Sequence, residues 1–324
     1  MRYAVFDIGS NSIKFIVAET RQGRVRILRE QSISTRLAEH LIDTCELRPE
    51  AIARTLTALR QLRAEATTLR VEHFRAVATS AVRDSRNRRV FLKAAREILG
   101  FQVRLLSGND EAETIFNGVS ADPYWHGKDM LLLDIGGGSV EWVQGHQDKM
   151  EMRISLPLGA VRLRERFLHH YPVVADTANL LVETVRAQIA HPLVHYSLGS
   201  RRLIGTGGTI TCLVAIHKKL MEFDPRKIDR ATLTIDQIRG LMKHFTGRTL
   251  DELRALPGLP PKRADLIIPG TAIVLATMEL LGAKRLNVSV RGLRYGVLTT
   301  AIGENESFHS PPQSHTKNHV PSKR

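Results

Sequence analysis

Short apolar runs alternate with amphipathic stretches along the first third of the chain, and this pattern predicts an α/β domain. The segment 48–70 is the clearest helix, because Ile52, Leu56, Leu59 and Leu62 recur at helical spacing. The other expected elements are three strands within 1–30, strands at 74–79 and 103–106, and helices at 90–99 and near 115–119. The order β-β-β-α-β-α-β is typical of a mixed sheet covered by helices.

A second set of strands and helices follows from residue 131. The expected elements are strands at 131–133, 202–205 and 285–290, and helices at 176–190, 211–220, 234–245, 250–256, 264–281 and 292–302. After Gly303 apolar residues almost disappear, and Ser, Pro, His and Lys take their place. A segment of that composition cannot bury enough apolar surface to fold, so we expect a disordered tail.

A strand that runs into an Asp-Ile-Gly turn and a second strand occurs twice in the chain. The turns read DIGSNS at 7–12 and DIGGGS at 134–139, and a third glycine turn, GTGGT, stands at 205–209. Glycines let the backbone approach a ligand, and consecutive N–H groups in such a turn form a concavity that binds anions. One glycine hairpin alone is ordinary, but its repetition predicts two related halves that present phosphate-binding hairpins to a shared cleft.

The composition is that of a soluble globular protein, since 43% of the 324 residues are hydrophobic and 25% are charged. Two distant cysteines, Cys45 and Cys212, give neither a disulfide framework nor a zinc pattern. They favour a reducing compartment, so we expect a cytoplasmic protein. The chain begins without a signal-peptide pattern, and no apolar run approaches the length of a membrane span.

The net charge of +14 and the pI near 10.2 indicate a polyanionic partner. On charge alone that partner is nucleic acid, an anionic membrane or a phosphate-rich small substrate. The basic residues recur in small groups, most of which are typical of solvated helix faces. A simple polyanion binder leaves the carboxylates beside the glycine turns unexplained, because acids repel a polyanion unless a metal ion intervenes.

Six ordered motifs give the chain a family resemblance. They are DIGSNS at Asp7, ATSAVRDSRN at Ala78, SGNDEA at Ser107, DIGGGSVE at Asp134, GTGGT at Gly205 and SVRGLRYG at Ser289. In this order they resemble the exopolyphosphatase/guanosine pentaphosphate phosphohydrolase (Ppx/GppA) family from the first strand to the last helix. The resemblance implies an α/β, two-domain actin-like (ribonuclease H-like, ASKHA) fold with the active site in the interdomain cleft. It also implies that the final helix returns to pack on the first domain.

On this basis we expect domain I at 1–118 plus 295–303, domain II at 119–294, and a disordered tail at 304–324. The chain looks like the short form of the family, which lacks the additional C-terminal helical domains. It departs from the family pattern at Tyr295, where an acidic residue usually follows the Leu-Arg of the last motif.

Hydrolysis of a phosphoanhydride requires charge neutralisation, a grip on the terminal phosphoryl group and a water aimed in line. Glu111 matches the family's catalytic carboxylate, which would position or deprotonate that water. Asp7, Asp134 and Glu141 offer hard oxygen ligands for Mg²⁺ or another divalent cation such as Mn²⁺. The predicted phosphate-binding residues are Ser10, Asn11, Ser12, Arg83, Gly136, Gly137, Gly138, Ser139, Gly207, Gly208, Thr209 and Arg263.

Two of these assignments have ordinary alternatives when the residues are considered without the resemblance. Glu111 is then one of several acids in the first turn of a helix, which is the better interpretation from the local sequence. Arg83 could grip a phosphate with two N–H groups, or it could be a surface arginine, and spacing does not separate the two.

We therefore predict a metal-dependent exopolyphosphatase that releases terminal orthophosphate from inorganic polyphosphate. A close variant hydrolyses the 5′ phosphate of guanosine pentaphosphate, and a less favoured alternative is another actin-like ATPase or small-molecule kinase. The expected partner is inorganic polyphosphate or guanosine pentaphosphate, with neither nucleic acid nor a membrane. A homodimer stays an open option for the oligomeric state.

Overall fold

The structure, a computed structural model, describes residues 1–309. The strands of the first half are β1 (Arg2–Ile8), β2 (Ser12–Arg21), β3 (Arg24–Ser34), β4 (His73–Ala78) and β5 (Val103–Leu105). They form one sheet in the order β3-β2-β1-β4-β5. β1 pairs antiparallel with β2 and parallel with β4, which pairs parallel with β5. The helices of this half are α1 (Leu41–Thr44), α2 (Pro49–Thr68), α3 (Ser80–Arg83), α4 (Arg88–Leu99) and α5 (Gly108–Ser120).

The second half repeats this topology. Its strands are β6 (Met130–Ile135), β7 (Val140–His146), β8 (Lys149–Leu156), β9 (Arg202–Thr206), β10 (Thr232–Thr234) and β11 (Arg285–Val288). Their order is β10-β11-β9-β6-β7-β8, with β6–β9 and β9–β11 parallel and β6–β7 antiparallel. Apart from the short edge strand β10, this is the strand order of the first sheet, so the two halves are related as the repeated hairpin predicted.

The remaining helices follow β6 in the chain, and most of them bury the apolar face of the second sheet. They are α6 (Ala160–Phe167), α7 (Ala175–Ala190), α8 (Gly208–His217), α9 (Pro225–Ile228), α10 (Ile235–Phe245), α11 (Leu250–Arg254), a 3₁₀ helix (Pro261–Leu266), α12 (Ile267–Leu280) and α13 (Leu293–His309). α12 is buried along almost its whole length and packs against α7, α8 and α10. An all-round apolar helix of this kind belongs in a protein core.

Two helices, α5 and α13, lie between the sheets and join the halves. Their apolar side chains share one core cluster with Val5 of β1 and with Leu132 of β6. The helices approach closely, because a Cβ added to Gly118 would lie 2.4 Å from the Gly292 carbonyl oxygen. α13 also packs on β1, β2 and β4, which confirms that the final helix returns to the first domain. The two-domain actin-like architecture is thereby established.

The structure differs from the sequence-based expectation at several elements. The strands β8 and β10 were not expected, and β3 extends to Ser34. α13 continues to His309, so the segment 304–309, assigned to a disordered tail, is helical. The rest of that tail, 310–324, lies outside the described residues, and the domain boundaries stay a prediction. Within residues 1–309 no helix combines the length and the apolar character needed to cross a membrane.

Candidate active site

The two glycine turns are closed in the same way. In the first hairpin the Gly9 N–H donates to the Ser12 carbonyl at 3.1 Å, and in the second the Gly136 N–H donates to the Ser139 carbonyl at 3.0 Å. Each turn stands at the carboxyl end of the central strand of its sheet. The repeat is therefore preserved in backbone hydrogen bonding as well as in sequence.

The segment that follows the third strand of each sheet holds the turn carbonyls. In the first half the Ala38 N–H donates to the Ser10 carbonyl at 2.9 Å, and in the second half the Val161 N–H donates to the Gly137 carbonyl at 2.8 Å. Within the described residues, the N–H groups of Gly137 and Gly138 make no hydrogen bond to protein acceptors. Free peptide N–H groups in a glycine turn are suited to anionic oxygens.

A cleft with about 750 Å³ of empty space, its open mouth included, lies between the halves. It is lined by both glycine hairpins, by the start of α5 and by the third glycine turn. The predicted residues in its lining are Asp7, Ser10, Asn11, Ser12, Glu111, Asp134, Gly136, Gly137, Gly138, Ser139, Gly208, Thr209 and Arg263. Three predicted residues lie behind this lining and contact it. Arg83 donates to Glu111, Glu141 stands opposite Asp134 in the sheet, and Gly207 lies against Asp134.

Gly138 brings the two hairpins together. A Cβ added there would lie 2.5 Å from the Ser10 hydroxyl of the first hairpin and 2.4 Å from the Ser80 hydroxyl of the turn after β4. The Arg162 Nε donates to the Gly138 carbonyl at 2.7 Å, and the Arg162 guanidinium also pairs with Asp84 of the first half. Only glycine permits this approach without displacing a neighbour.

The third glycine turn lies against Asp134 and Arg263. Gly207 has φ +94°, and an added Cβ would lie 2.9 Å from the Asp134 Oδ1. At Gly208 an added Cβ would overlap the Arg263 guanidinium at 1.5 Å from Nη1. Arg263 also opposes the effect of burial, which raises the pKa of the neighbouring Cys212 thiol. The turn thus touches both an acid and a cation of the cleft lining.

Glu111 is set apart from the other acids at the start of α5. Asp110 forms a capping box with Ser107, its N–H donating to the Ser107 hydroxyl at 3.1 Å, and Glu113 pairs with an arginine on the surface. Glu111 instead is only 6% exposed, and the Arg83 Nη1 donates to its Oε2 at 3.0 Å. The ordinary role of a first-turn acid is therefore taken by Asp110, and Glu111 faces the cleft.

Four buried carboxylates share this part of the structure. Burial raises the pKa of Glu111 to about 7, although Arg83 opposes the shift, and the charges of Asp7 and Asp134 add to it. Burial also raises the pKa of Asp7 and of Asp134. The pKa of Glu141 lies well above its usual range because of burial and the neighbouring acids. Such a set of acids favours either bound protons or a bound cation.

The donor chemistry fits a divalent cation. Glu141 is fully buried, its Oε1 accepts from the Ser155 hydroxyl at 2.7 Å, and its Oε2 has no hydrogen-bond partner. Across residues 1–309 no three acidic, histidine or cysteine side chains form a ready-made metal cluster. Mg²⁺ is commonly held by one or two carboxylates, waters and substrate phosphates, so Asp134 and Glu141 would suffice with a phosphate bound.

One residue of the cleft and one ion pair between the halves were missed in the sequence. Lys14 lines the cleft, and its Nζ lies 3.7 Å from the Asp7 Oδ2. Its spacing of seven residues from Asp7 repeats the spacing of Glu141 from Asp134, which would have pointed to it. Arg36 joins the halves through an ion pair with the buried Asp265 at 2.7 Å. Nothing in the local sequence indicates that long-range contact.

The model of the Ppx/GppA phosphatase family matches residues 16–304. The chain belongs to the Ppx/GppA phosphatase family. This membership confirms the resemblance read from the six motifs, and it makes the protein an enzyme of the phosphoanhydride hydrolase class.

Relatives of similar length and longer relatives are both found among named proteins. Exopolyphosphatase 2 of Mycobacterium tuberculosis H37Rv is 31% identical, over 93% of this chain and 99% of that protein. The guanosine-5′-triphosphate,3′-diphosphate pyrophosphatase of Vibrio atlanticus is 29% identical, over 93% of this chain but 59% of that protein. The crystal structure of the Aquifex aeolicus Ppx/GppA member has a TM-score of 0.79 at 30% identity, over 96% of this chain and 99% of that one.

Proposed function

We propose that this Ppx/GppA protein is an exopolyphosphatase, which hydrolyses the terminal phosphoanhydride bond of inorganic polyphosphate and releases orthophosphate. The observation that carries the proposal is the lining of the cleft. It combines two glycine hairpins, the buried Glu111, and the cations Lys14 and Arg263, and the described lining contains no aromatic side chain on which a nucleobase could stack. A polyphosphate chain needs charge and N–H groups and no base pocket.

The residues of the cleft would divide the work of hydrolysis. The N–H groups of the two glycine turns would hold the phosphoryl oxygens, and Arg263 would add positive charge from the wall. Glu111 would accept the proton of the attacking water, for which its pKa near 7 suits neutral pH. Arg83 would keep the Glu111 carboxylate in place.

We further propose that the enzyme depends on a divalent cation, Mg²⁺ or Mn²⁺. Asp134 and Glu141 would hold it, with Asp7 nearby, and the ion would supply charge neutralisation at the phosphate oxygens. The unpartnered Glu141 Oε2 and the raised pKa values of the four acids support this assignment.

The two unpaired cysteines, Cys45 and Cys212, favour a cytoplasmic location for the enzyme.

Guanosine pentaphosphate is the second candidate substrate. Leu266, Ile267 and Leu293 form an apolar part of the cleft wall, which could contact a ribose or a base. The name of the Vibrio relative points in the same direction. With a net charge of +14, however, the chain gains more from a substrate that carries a charge on every unit.

The experiment compares kcat/KM for polyphosphate of graded lengths and for guanosine pentaphosphate, at two ionic strengths and with and without Mg²⁺. We expect higher values for polyphosphate, a preference for short or medium chains, and a steep loss of apparent affinity with salt, by analogy with counterion release. A much higher kcat/KM for guanosine pentaphosphate would assign the second function instead.

A further inference from the structure

Three successive carbonyl groups of the second glycine turn are held from the segment at the start of α6. The Gly136 and Gly137 carbonyls accept from backbone N–H groups at 3.1 and 2.8 Å. The Gly138 carbonyl accepts from the Gly159 N–H at 3.3 Å and more closely, at 2.7 Å, from the Nε of Arg162. The last support of the turn is therefore a side chain, which a substitution can remove without changing the backbone.

The direction of each carbonyl fixes the direction of the next N–H group. A peptide unit is planar and trans, so its C=O and its N–H point to opposite sides. By holding the Gly138 carbonyl, Arg162 therefore also aims the N–H of Ser139, a residue that lines the cleft. The support bears directly on a group that would meet a phosphate oxygen.

Asp84 of the first half connects this support to the proposed general base. Its Oδ2 accepts from the Arg162 guanidinium and from the Ser80 hydroxyl, the latter at 3.0 Å. Its Oδ1 lies 3.6 Å from the Nε of Arg83, whose Nη1 donates to Glu111 at 3.0 Å. A continuous series of charged groups thus runs from the phosphate-binding turn of one half to Glu111 of the other.

The carboxylate lies between two like charges. The side chains of Arg83, Asp84 and Arg162 are 22%, 32% and 23% exposed, so water screens them only in part. Without Asp84 the two guanidinium groups would repel each other across the space that it occupies. That repulsion would draw Arg83 away from Glu111 and Arg162 away from Gly138.

We propose that Asp84 is a positioning residue for the hydrolysis, whose carboxylate holds Arg162 on the phosphate-binding turn and Arg83 on Glu111 at the same time. The turn and Glu111 would touch the phosphate and the attacking water, and Asp84 acts on both through the two arginines. This inference rests on the proposed function, because it concerns the reaction in the same cleft.

The first test separates kcat from KM for tripolyphosphate at saturating Mg²⁺. Asp84→Ala should lower kcat at least tenfold and change KM less than threefold, because the groups that bind phosphate remain and lose only their alignment. Asp251→Ala, which removes an exposed acid paired with Arg254 on α11, is the control and should alter neither constant. Asp84→Asn replaces the alanine variant if that variant does not fold.

A carboxylate that merely tied the halves together would give a different result. Its loss would raise KM, because the cleft would be held less firmly, and would leave kcat within threefold of the wild type. That outcome would overturn the proposal.

A double-mutant cycle tests whether Asp84 acts through Arg162. Since Arg162→Gln already removes the support of the turn, adding Asp84→Asn to it should lower kcat at least threefold less than Asp84→Asn does alone. Arg166→Gln, at an exposed position of the same helix, is the control and should show no such coupling. Losses in kcat that simply multiply for Asp84 and Arg162 would overturn the proposal.

A measurement without turnover keeps the inference separate from the proposed function. In protein labelled with nitrogen-15 glycine, Asp84→Asn should shift the amide resonance of Gly138, whereas that of Gly240 on α10 should stay in place. An unchanged Gly138 resonance would overturn the proposal. Absence of phosphate release by the wild type from polyphosphate and from guanosine pentaphosphate would instead refute the proposed function, while the Gly138 resonance still judges Asp84.

Discussion

Glu111→Gln should lower activity and raise stability together. The carboxyl group of Glu111 has a folded-state pKa of about 7 against an ordinary value of 4.5. A raised folded pKa means that the native state holds the proton of Glu111 more tightly than the unfolded state does. The contribution of this proton to the free energy of unfolding is therefore fully present below pH 4.5 and is lost as the pH rises through 7. Glutamine removes this loss, because it cannot ionise.

The size of the effect follows from the shift. Each pKa unit corresponds to about 1.4 kcal/mol, so ionising Glu111 costs the folded state on the order of 3 kcal/mol at pH 8 and less than about 1 kcal/mol at pH 5. The difference in the free energy of unfolding between Glu111→Gln and the wild type should therefore grow, in favour of the variant, by about 2 to 3 kcal/mol from pH 5 to pH 8. The attraction between Arg83 and the ionised carboxylate is already contained in this pKa, because Arg83 opposes the upward shift that burial causes.

The assay is urea denaturation at pH 5 and pH 8 in a chelating buffer, with phosphate release measured in parallel with Mg²⁺. Activity should fall by about two orders of magnitude or more, the usual scale for a general base. Glu113→Gln, the same change on the exposed side of α5, is the matched control and should alter neither quantity. A stability difference that does not grow with pH, or near-wild-type phosphate release, would refute the reasoning.

Further substitutions test the metal site, the hairpin contact and the link between the halves. Glu141→Gln should raise the Mg²⁺ concentration for half-maximal activity at least tenfold, about the scale for a lost metal-site interaction. Full activity of the wild type in excess chelator would contradict the proposed metal dependence. Gly138→Ala should lower kcat/KM at least tenfold because its Cβ would meet the Ser10 and Ser80 hydroxyls, whereas Gly240→Ala, where a Cβ meets nothing within 4 Å, should not. Arg36→Ala should cost about 1 to 2 kcal/mol in urea denaturation, since it leaves Asp265 without its closest cation, and an unchanged midpoint would show that the pair contributes nothing.

The fold was largely predictable because the chain repeats itself. The Asp-Ile-Gly turn occurs at the same place in both halves, and the strand order around it is the same. The edge strand β8 was missed although its sequence, KMEMRISL, alternates polar and apolar residues as a half-buried strand does. The edge strand β10 has only three residues, which is too short for a periodic pattern. Composition also misjudged the end of α13, since the helix continues through the polar segment to His309.

The site was predictable where one motif supplies the chemistry, and not where two halves must meet. The hairpin glycines and Glu111 all lie at the cleft, as the motifs indicated. The contacts of Arg36 with Asp265 and of Arg162 with Asp84 join residues that are far apart in the chain. Their pairing depends on how the halves pack, which local sequence does not encode.

The most direct test of the account follows the attacking water. Polyphosphate is hydrolysed in water enriched in oxygen-18 with Mg²⁺ present, and the released orthophosphate and the shortened chain are analysed separately by mass spectrometry. If water activated by Glu111 attacks the terminal phosphorus, each released orthophosphate should carry one labelled oxygen, the shortened chain should carry none, and Glu111→Gln should release almost nothing. Label in the shortened chain, or undiminished release by Glu111→Gln, would contradict the account.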